Sequence, residues 1–256
     1  MRRGLVDSRE QAKELIAAGQ VLVSGAIADK PARQVAAGEP VELRGPKPRF
    51  VSRGGEKLDA ALDRFPIAIA GQRALDAGAS TGGFTDCLLQ RGAAHVTAVD
   101  VGHSQLHERL RHDPRVAVHE RTHIRDFVPE ERYPLIVADL SFISLRAVAP
   151  DLAARLAAPG ADLVLLIKPQ YEAGRAEAAR NKGIVKDPAT WRRVLEEVVS
   201  ALEAAGAAMM DAMVSPLKGA DGNVEFLGWF RVGSRSPAGG SPVDLDALVA
   251  EAEARG

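Results

Sequence analysis

The chain has 256 residues, 33 Lys+Arg against 34 Asp+Glu, a formal net charge of −1 and 46% hydrophobic residues. That length holds one large domain and a small one, and that apolar fraction builds a core. No apolar run approaches the roughly 18 residues of a membrane span, and Met1–Gly4 opens no secretory signal. The single cysteine, Cys87, excludes an internal disulfide framework and a Cys-based zinc cage. A cytoplasmic protein without a membrane partner is expected. The total charge hides a split. Residues 1–57 carry 11 Lys+Arg and 7 Asp+Glu, net +4, and the remainder is net −5. A basic module on an acidic body suits a nucleic-acid partner, although a plain solvated surface has the same charge.

In the basic module, Ser8-Arg9-Glu10-Gln11 has capping-box spacing, and Gly19 sits where a helix would end. Ala12, Leu15 and Ile16 share a face. Short strands are expected at Val21–Val23 and Val41–Leu43, and Gly45-Pro46-Lys47-Pro48 reads as a linker. About 45 residues is short for an independent core.

From Ala74 the pattern alternates. Strands are expected at Ala74-Leu75, His95–Val99, Val116–Val118, Leu135–Ala138 and Leu163–Ile167. Helices are expected around Phe84–Gln90, Gln105–Arg111, Leu145–Ala158 and Ala189–Ala205, then two strands, Ala208–Val214 and Val224–Val232. Such alternation predicts a Rossmann-like α/β fold, a parallel sheet with helices on both faces. Gly233–Pro242 reads as a flexible linker and Asp244–Ala254 as a short acidic helix.

After the first of these strands comes Asp76-Ala77-Gly78-Ala79-Ser80-Thr81-Gly82-Gly83-Phe84. A glycine-rich strand-to-helix turn lets a cofactor approach the backbone. Position 80 is Ser where a dinucleotide fingerprint needs glycine for the pyrophosphate, and Asp76 would repel phosphate. An acid there suits a ligand with a cationic ammonium, such as the methionine moiety of S-adenosylmethionine. Asp100, ending the second strand, is placed to accept from ribose hydroxyls. The candidate cofactor residues are Asp76, Gly78, Ser80, Thr81, Gly82, Gly83, Phe84, Asp100 and Val101. A tight turn without a ligand is the bland alternative.

Further strands end in ionisable residues: Asp139, Lys168 and Glu225, with Lys57 in the preamble. Asp139-Leu140-Ser141-Phe142 lacks the prolines of an exocyclic-amine methyltransferase, and Cys87 reads as a buried small residue, not a nucleophile. Phe142 and Phe84 read as core. A plain Lys168–Asp139 salt bridge is the structural alternative to a catalytic pair.

Ser52–Leu58, Asp76–Cys87, Asp139–Leu145, Ile167–Gln170, Gly183–Val185 and Gly222–Glu225 together resemble the hemolysin-A/TlyA family of ribosomal RNA ribose 2′-O-methyltransferases. The resemblance runs from about Arg3 to Val232. It implies an S4-like RNA-binding domain over 1–45, a linker and preamble over 46–57, an FtsJ-like methyltransferase domain over 58–232 and a tail over 233–256. It puts Lys57, Asp139, Lys168 and Glu225 at the positions of a catalytic Lys-Asp-Lys-Glu tetrad. It implies S-adenosylmethionine as cofactor and cytidine riboses of 16S and 23S rRNA, free or in ribosomal subunits, as substrate. Two departures stand out. His123 replaces an Asn, and the small domain starts without the family's first helix, as if clipped or given a misassigned start codon.

On this reading Lys168 deprotonates the ribose hydroxyl, while Asp139 and Glu225 orient the lysines. An ordinary lysine, with pKa about 10.4, is charged at pH 7, and enzymes tune lysine bases to roughly 7–8 by burial or a neighbouring cation. A lysine that stays charged would stabilise the alkoxide instead. Arg2, Arg3, Arg9, Lys13, Arg49 and Arg53 are candidate phosphate contacts, which position RNA without reading its sequence. All six histidines fall between 95 and 123, and His103 and His107 have helical ligand spacing. No third ligand accompanies them, so no metal is expected. Competing functions are a non-catalytic RNA-binding protein with a vestigial fold, a membrane-lytic hemolysin, and an NAD enzyme.

Overall fold

The computed structural model describes residues 5–6, 9–45, 48–174, 183–219, 222–234 and 243–255. Ser8 of the expected capping box, Pro46 and Lys47 of the expected linker, and 235–242 of the expected tail linker lie outside them. The chain forms two units, Met1–Ser52 and Arg53–Gly256.

In the first unit, α1 (Arg9–Ala17) is followed by β1 (Val21–Val23), β2 (Ala26–Ile27) and β3 (Val41–Leu43), in sheet order β2-β1-β3. Gly19, at φ +66°, lets the chain leave α1, and the amides of Gly19 and Gln20 close back on the carbonyls of Ile16 and Leu15. Strand β2 was not expected. It exists because Ser24 and Gly25 both take positive φ (50° and 79°), the two-residue turn that matches strand twist. Val21, Val23 and Ala28 are buried against Leu15, Ile16, Val41 and Leu43.

The second unit opens with α2 (Arg53–Arg64), then β4 (Arg73–Ala77), α3 (Gly83–Gln90), β5 (His95–Val99), α4 (Glu108–Arg111) and β6 (Val116–His119). Next come β7 (Tyr133–Ala138), α5 (Leu145–Ala149), β8 (Ala157–Ile167) and α6 (Pro169–Glu172). It closes with α7 (Pro188–Ala204), β9 (Ala207–Val214), β10 (Phe226–Val232) and α8 (Leu245–Arg255). The sheet order is β6-β5-β4-β7-β8-β10-β9. Strands β4 to β8 are parallel, and β10 runs antiparallel between β8 and β9. Only residues 215–225 join β9 to β10, and an antiparallel return needs no long crossover.

Alternation along the strands sends Leu75, Ala77, Ile136, Ala138, Leu163, Leu165 and Ile167 to one side, into a core with α5, α7 and α8. The residues between them, Ala74, Asp76, Leu135, Val137, Val164 and Leu166, are buried on the other side. There the Arg91–Asp59 ion pair (2.5 Å) ties the end of α3 to α2, and Phe65, just past α2, stacks on Trp229 of β10.

Two expected helices differ, and a further helix, α2, was not expected. The helix expected over Leu145–Ala158 holds α-geometry only to Ala149; Pro150–Leu156 winds as a π-helix, and β8 already begins at Ala157. The helix expected over Gln105–Arg111 shrinks to α4, because the His107 ring nitrogen accepts the Arg109 amide (3.0 Å) as its cap. Helix α2 carries Lys57 although Gly54-Gly55 is a poor helix signal; tertiary burial of Leu58, Ala61 and Leu62 outweighs propensity.

Leaving β4, the chain moves to β5 and β6 on one side and returns to β7 on the other, opening a crevice at the carboxyl ends of β4 and β7. Gly78 fixes its width. At φ +86°, a Cβ there would lie 2.7 Å from the Asp139 carbonyl oxygen. By contrast Gly206, at φ +92°, has nothing within 4 Å of that position. Gly206→Ala should cost about 1–2 kcal/mol, the left-handed penalty alone. Gly78→Ala should cost roughly 3 kcal/mol or more, strain plus overpacking. Urea unfolding of the two variants checks the order; equal losses would contradict the close approach.

Candidate active site

Asp76 is fully buried at the end of β4, where one carboxylate oxygen accepts the Thr85 hydroxyl of α3 (2.6 Å). Its other oxygen, Oδ1, is buried without a hydrogen-bond partner among the described residues. Burial pushes this carboxyl up to about 7, against the pull of Thr85 and with repulsion from Asp139 adding to it. Such a group lacks a partner that a ligand can supply.

The loop beyond it is shaped by backbone geometry. Ser80 takes φ +46°, and Gly82 takes φ +95° as the cap of α3, where a Cβ would strike Leu110 and Leu106. Gly83 and Phe84 are buried in the first turn of α3. Thr81 offers its carbonyl to the His107 amide. Asp100 holds the loop in place: Oδ2 accepts the Ser80 amide (2.9 Å) and Oδ1 the Gly102 amide (2.6 Å). A carboxylate has lone pairs left for ribose hydroxyls after those two bonds. Val101, beside it, is 65% exposed.

Ala79, Ser80, Asp100, Gly102, Gln105 and Glu120 line a small crevice, of which sequence reasoning had singled out only Ser80 and Asp100 as cofactor residues. Arg111 and the His103 ring hold Glu120 well below the usual carboxylate range. His103 and His107 are not helical neighbours, since α4 begins only at Glu108, and each ring is engaged locally. His123 likewise accepts the Arg125 amide (3.1 Å).

A second cluster lies at the ends of β7, β8 and β10. Lys168 Nζ pairs with Asp139 and donates to Ser141 Oγ (3.1 Å). Lys57 Nζ lies 2.5 Å from Glu225 Oε2, with both residues buried. Gln170, two residues beyond Lys168, donates to Glu225 Oε1 (3.3 Å) and so joins the two pairs. Gly219 backs this contact, because a Cβ there would lie 2.7 Å from Glu225 Oε1. Removing one partner of a buried ion pair costs about 3–5 kcal/mol, so the pairs hold each other.

Phe142 corrects the sequence reading. It is 90% exposed and takes φ +65°, a conformation that costs a bulky residue about 1–2 kcal/mol. Its ring lies 5.3 Å from that of Tyr171, which the Lys168 ammonium faces at 5.8 Å. Hydrophobicity alone misassigned it; its place after a polar strand end was the available signal. Phe84 is core, as expected. Of the candidate phosphate contacts, Lys13 is exposed on α1, and Arg49 is exposed with its guanidinium over the Phe50 ring. Arg53 donates to the Lys218 carbonyl (2.6 Å). Arg2, Arg3 and the Arg9 side chain lie outside the described residues.

Comparison with known proteins identifies the family and the fold. Residues 50–232 match the FtsJ-like methyltransferase family and residues 2–41 the S4 domain. The chain is 48% identical to the 16S/23S rRNA (cytidine-2′-O)-methyltransferase TlyA of Mycobacterium tuberculosis, over 90% of this chain and 87% of that one. A solved structure described as a hemolysin from Streptococcus thermophilus superposes with TM-score 0.80 at 39% identity, covering 99% of this chain and 94% of that chain. The N-methyltransferase NodS of Bradyrhizobium japonicum, solved with S-adenosylhomocysteine, shares the fold at TM-score 0.51 and 20% identity, over 71% of this chain and 86% of its own.

Asp76 makes stability fall with pH. Folded, it holds its proton up to about 7; its ordinary value is 3.8. Its contribution is therefore complete below pH about 4 and is lost as pH rises through about 7. The ligand-free Asp76→Asn variant should gain several degrees in Tm over the parent at pH 8 and distinctly less at pH 5. Thermal unfolding at both pH values checks this, and equal shifts would contradict it.

Proposed function

Because the chain belongs to the TlyA/hemolysin-A family of FtsJ-like methyltransferases carrying an S4 domain, we propose that it transfers a methyl group from S-adenosylmethionine to the 2′-hydroxyl of a cytidine ribose in ribosomal RNA. One observation carries the reading: Lys57, Asp139, Lys168 and Glu225, from four separate elements, converge as two ion pairs beside the glycine loop. The fit of the cofactor rests on Asp76, whose buried, unpartnered oxygen suits an ammonium donor, with the Gly78–Gly83 loop, Asp100 and Val101 as the rest of its cradle. When bound, that cofactor supplies a methyl group activated by a sulfonium.

The residues of this chain supply alignment and proton transfer. Asp139 and Ser141 aim the Lys168 amine, and the geometry suits Lys168 as the group that meets the ribose hydroxyl and takes its proton. Glu225 anchors Lys57, and Gln170 keeps that pair in register with Lys168. Holding the hydroxyl oxygen in line with the methyl group provides much of the acceleration. Phe142, exposed beside Lys168, offers an aromatic face to an unstacked base, the form in which RNA is commonly read. The S4 domain, with Lys13, the linker, with Arg49, and the first turn of α2, with Arg53, supply cations for phosphates.

The test is tritiated-methyl transfer to separated ribosomal subunits lacking the modification, with mapping of alkali-resistant linkages. Label on a ribose is expected; label on a base would refute the reaction class. Lys168→Ala should lower turnover at least about 100-fold while S-adenosylmethionine affinity stays within a few-fold. Lys168→Arg, whose guanidinium does not deprotonate, should be equally inactive, and an active Arg variant would remove the proton-accepting role.

A further inference from the structure

Phe142 is held in a left-handed conformation at the exposed crest of a half-buried segment, Asp139–Ser144, so something must oppose its relaxation. The amino end of that segment is fixed by the Asp139 amide on the Ala77 carbonyl (3.1 Å). Its other end is fixed by Glu172, the last residue of α6, which is 2% exposed. Glu172 Oε1 accepts the Leu145 amide (2.6 Å), and Oε2 accepts the Ser144 hydroxyl. Ser144 in turn accepts the Arg146 amide (3.1 Å) and so caps α5.

Arg146 closes the knot. Its guanidinium reaches Glu172 Oε2 (3.3 Å), the Glu172 carbonyl (2.6 Å) and Glu197 on α7. The segment holding Asp139, Ser141 and Phe142 is thereby tied to the segment holding Lys168, Gln170 and Tyr171. Burial pushes the Glu172 carboxyl up, and Ser144, Leu145 and Arg146 pull it back toward the ionised form. None of the residues identified in the proposed chemistry is Glu172 itself.

We infer that Glu172 is a positioning residue for methyl transfer: with Ser144 and Arg146 it braces the Asp139–Ser144 segment against Lys168–Tyr171, keeping Asp139 on Lys168 and Phe142 presented beside Tyr171. The inference rests on the methyl-transfer reading above. A glutamine at 172 keeps the volume but turns an NH2 toward either the Leu145 amide or Ser144 Oγ, whose lone pairs already accept the Arg146 amide and Nε, so one end of the brace opens.

Single-turnover methyl transfer to ribosomal subunits tests it, with S-adenosylhomocysteine affinity and Tm measured in parallel. Glu172→Gln should lower the rate at least tenfold with S-adenosylhomocysteine affinity within twofold. Ser144→Ala, a milder cut of the same brace, should lower it less and in the same manner. In a Phe142→Ala background, Glu172→Gln should cost distinctly less than in the parent, because the two act through one segment. A Glu172→Gln or Ser144→Ala protein at the parent rate would overturn the inference. So would rate and cofactor affinity lost in proportion, or additive losses with Phe142→Ala. A parent protein that labels no ribose would overturn the methyl-transfer reading instead.

Discussion

The crevice of this protein is governed by the cost of keeping charge out of water. Lys57, Lys168 and Glu225 are buried and Asp139 half-buried, and each lysine meets one carboxylate. Each amine faces a carboxylate, so desolvation is offset locally and the four side chains can stand beside a ligand site. Asp76 has no such partner. Thr85 gives it one hydrogen bond, and the unmet remainder appears as a carboxyl pushed up to about 7. A buried carboxyl that an adjacent cation would bring to its ionised form, next to a glycine loop, is a site whose occupant completes the charge balance.

The sheet makes this arrangement possible. Lys57 and Glu225 are 168 positions apart and meet because α2 lies on the face of the sheet where β10 enters between β8 and β9. The close approach of Gly78 to Asp139 sets the separation of the two halves of the crevice. Glu172 and Arg146 hold the third side, away from the glycine loop.

Much of this was legible in the sequence. Alternating apolar strands and helical stretches gave the α/β class, and Asp76 with its glycines gave the place of the loop. Strand-end acids and lysines, read with the family resemblance, gave the candidate tetrad. What escaped has physical reasons. The antiparallel entry of β10 is a matter of connection length, not of residue type. Helix α2 contradicts its own glycines and depends on tertiary burial. Phe142 is apolar yet exposed because its neighbours are a turn and a lysine, not a core. Asp100, expected to accept from a ribose, also accepts the Ser80 and Gly102 amides, a loop-holding role that its strand-end position did not announce. Gln170, Glu172 and Gly219 act through contacts between distant segments, which no local pattern announces.

On the proposed function, the ammonium of the bound cofactor completes the charge of Asp76. Calorimetry of S-adenosylhomocysteine binding at several pH values, in buffers of different ionisation enthalpy, counts the protons released on binding. The parent protein should release a proton fraction near pH 7 that declines toward pH 8, and Asp76→Asn should release none there. Binding without proton release near pH 7, or an unchanged release in the Asn variant, would contradict the account.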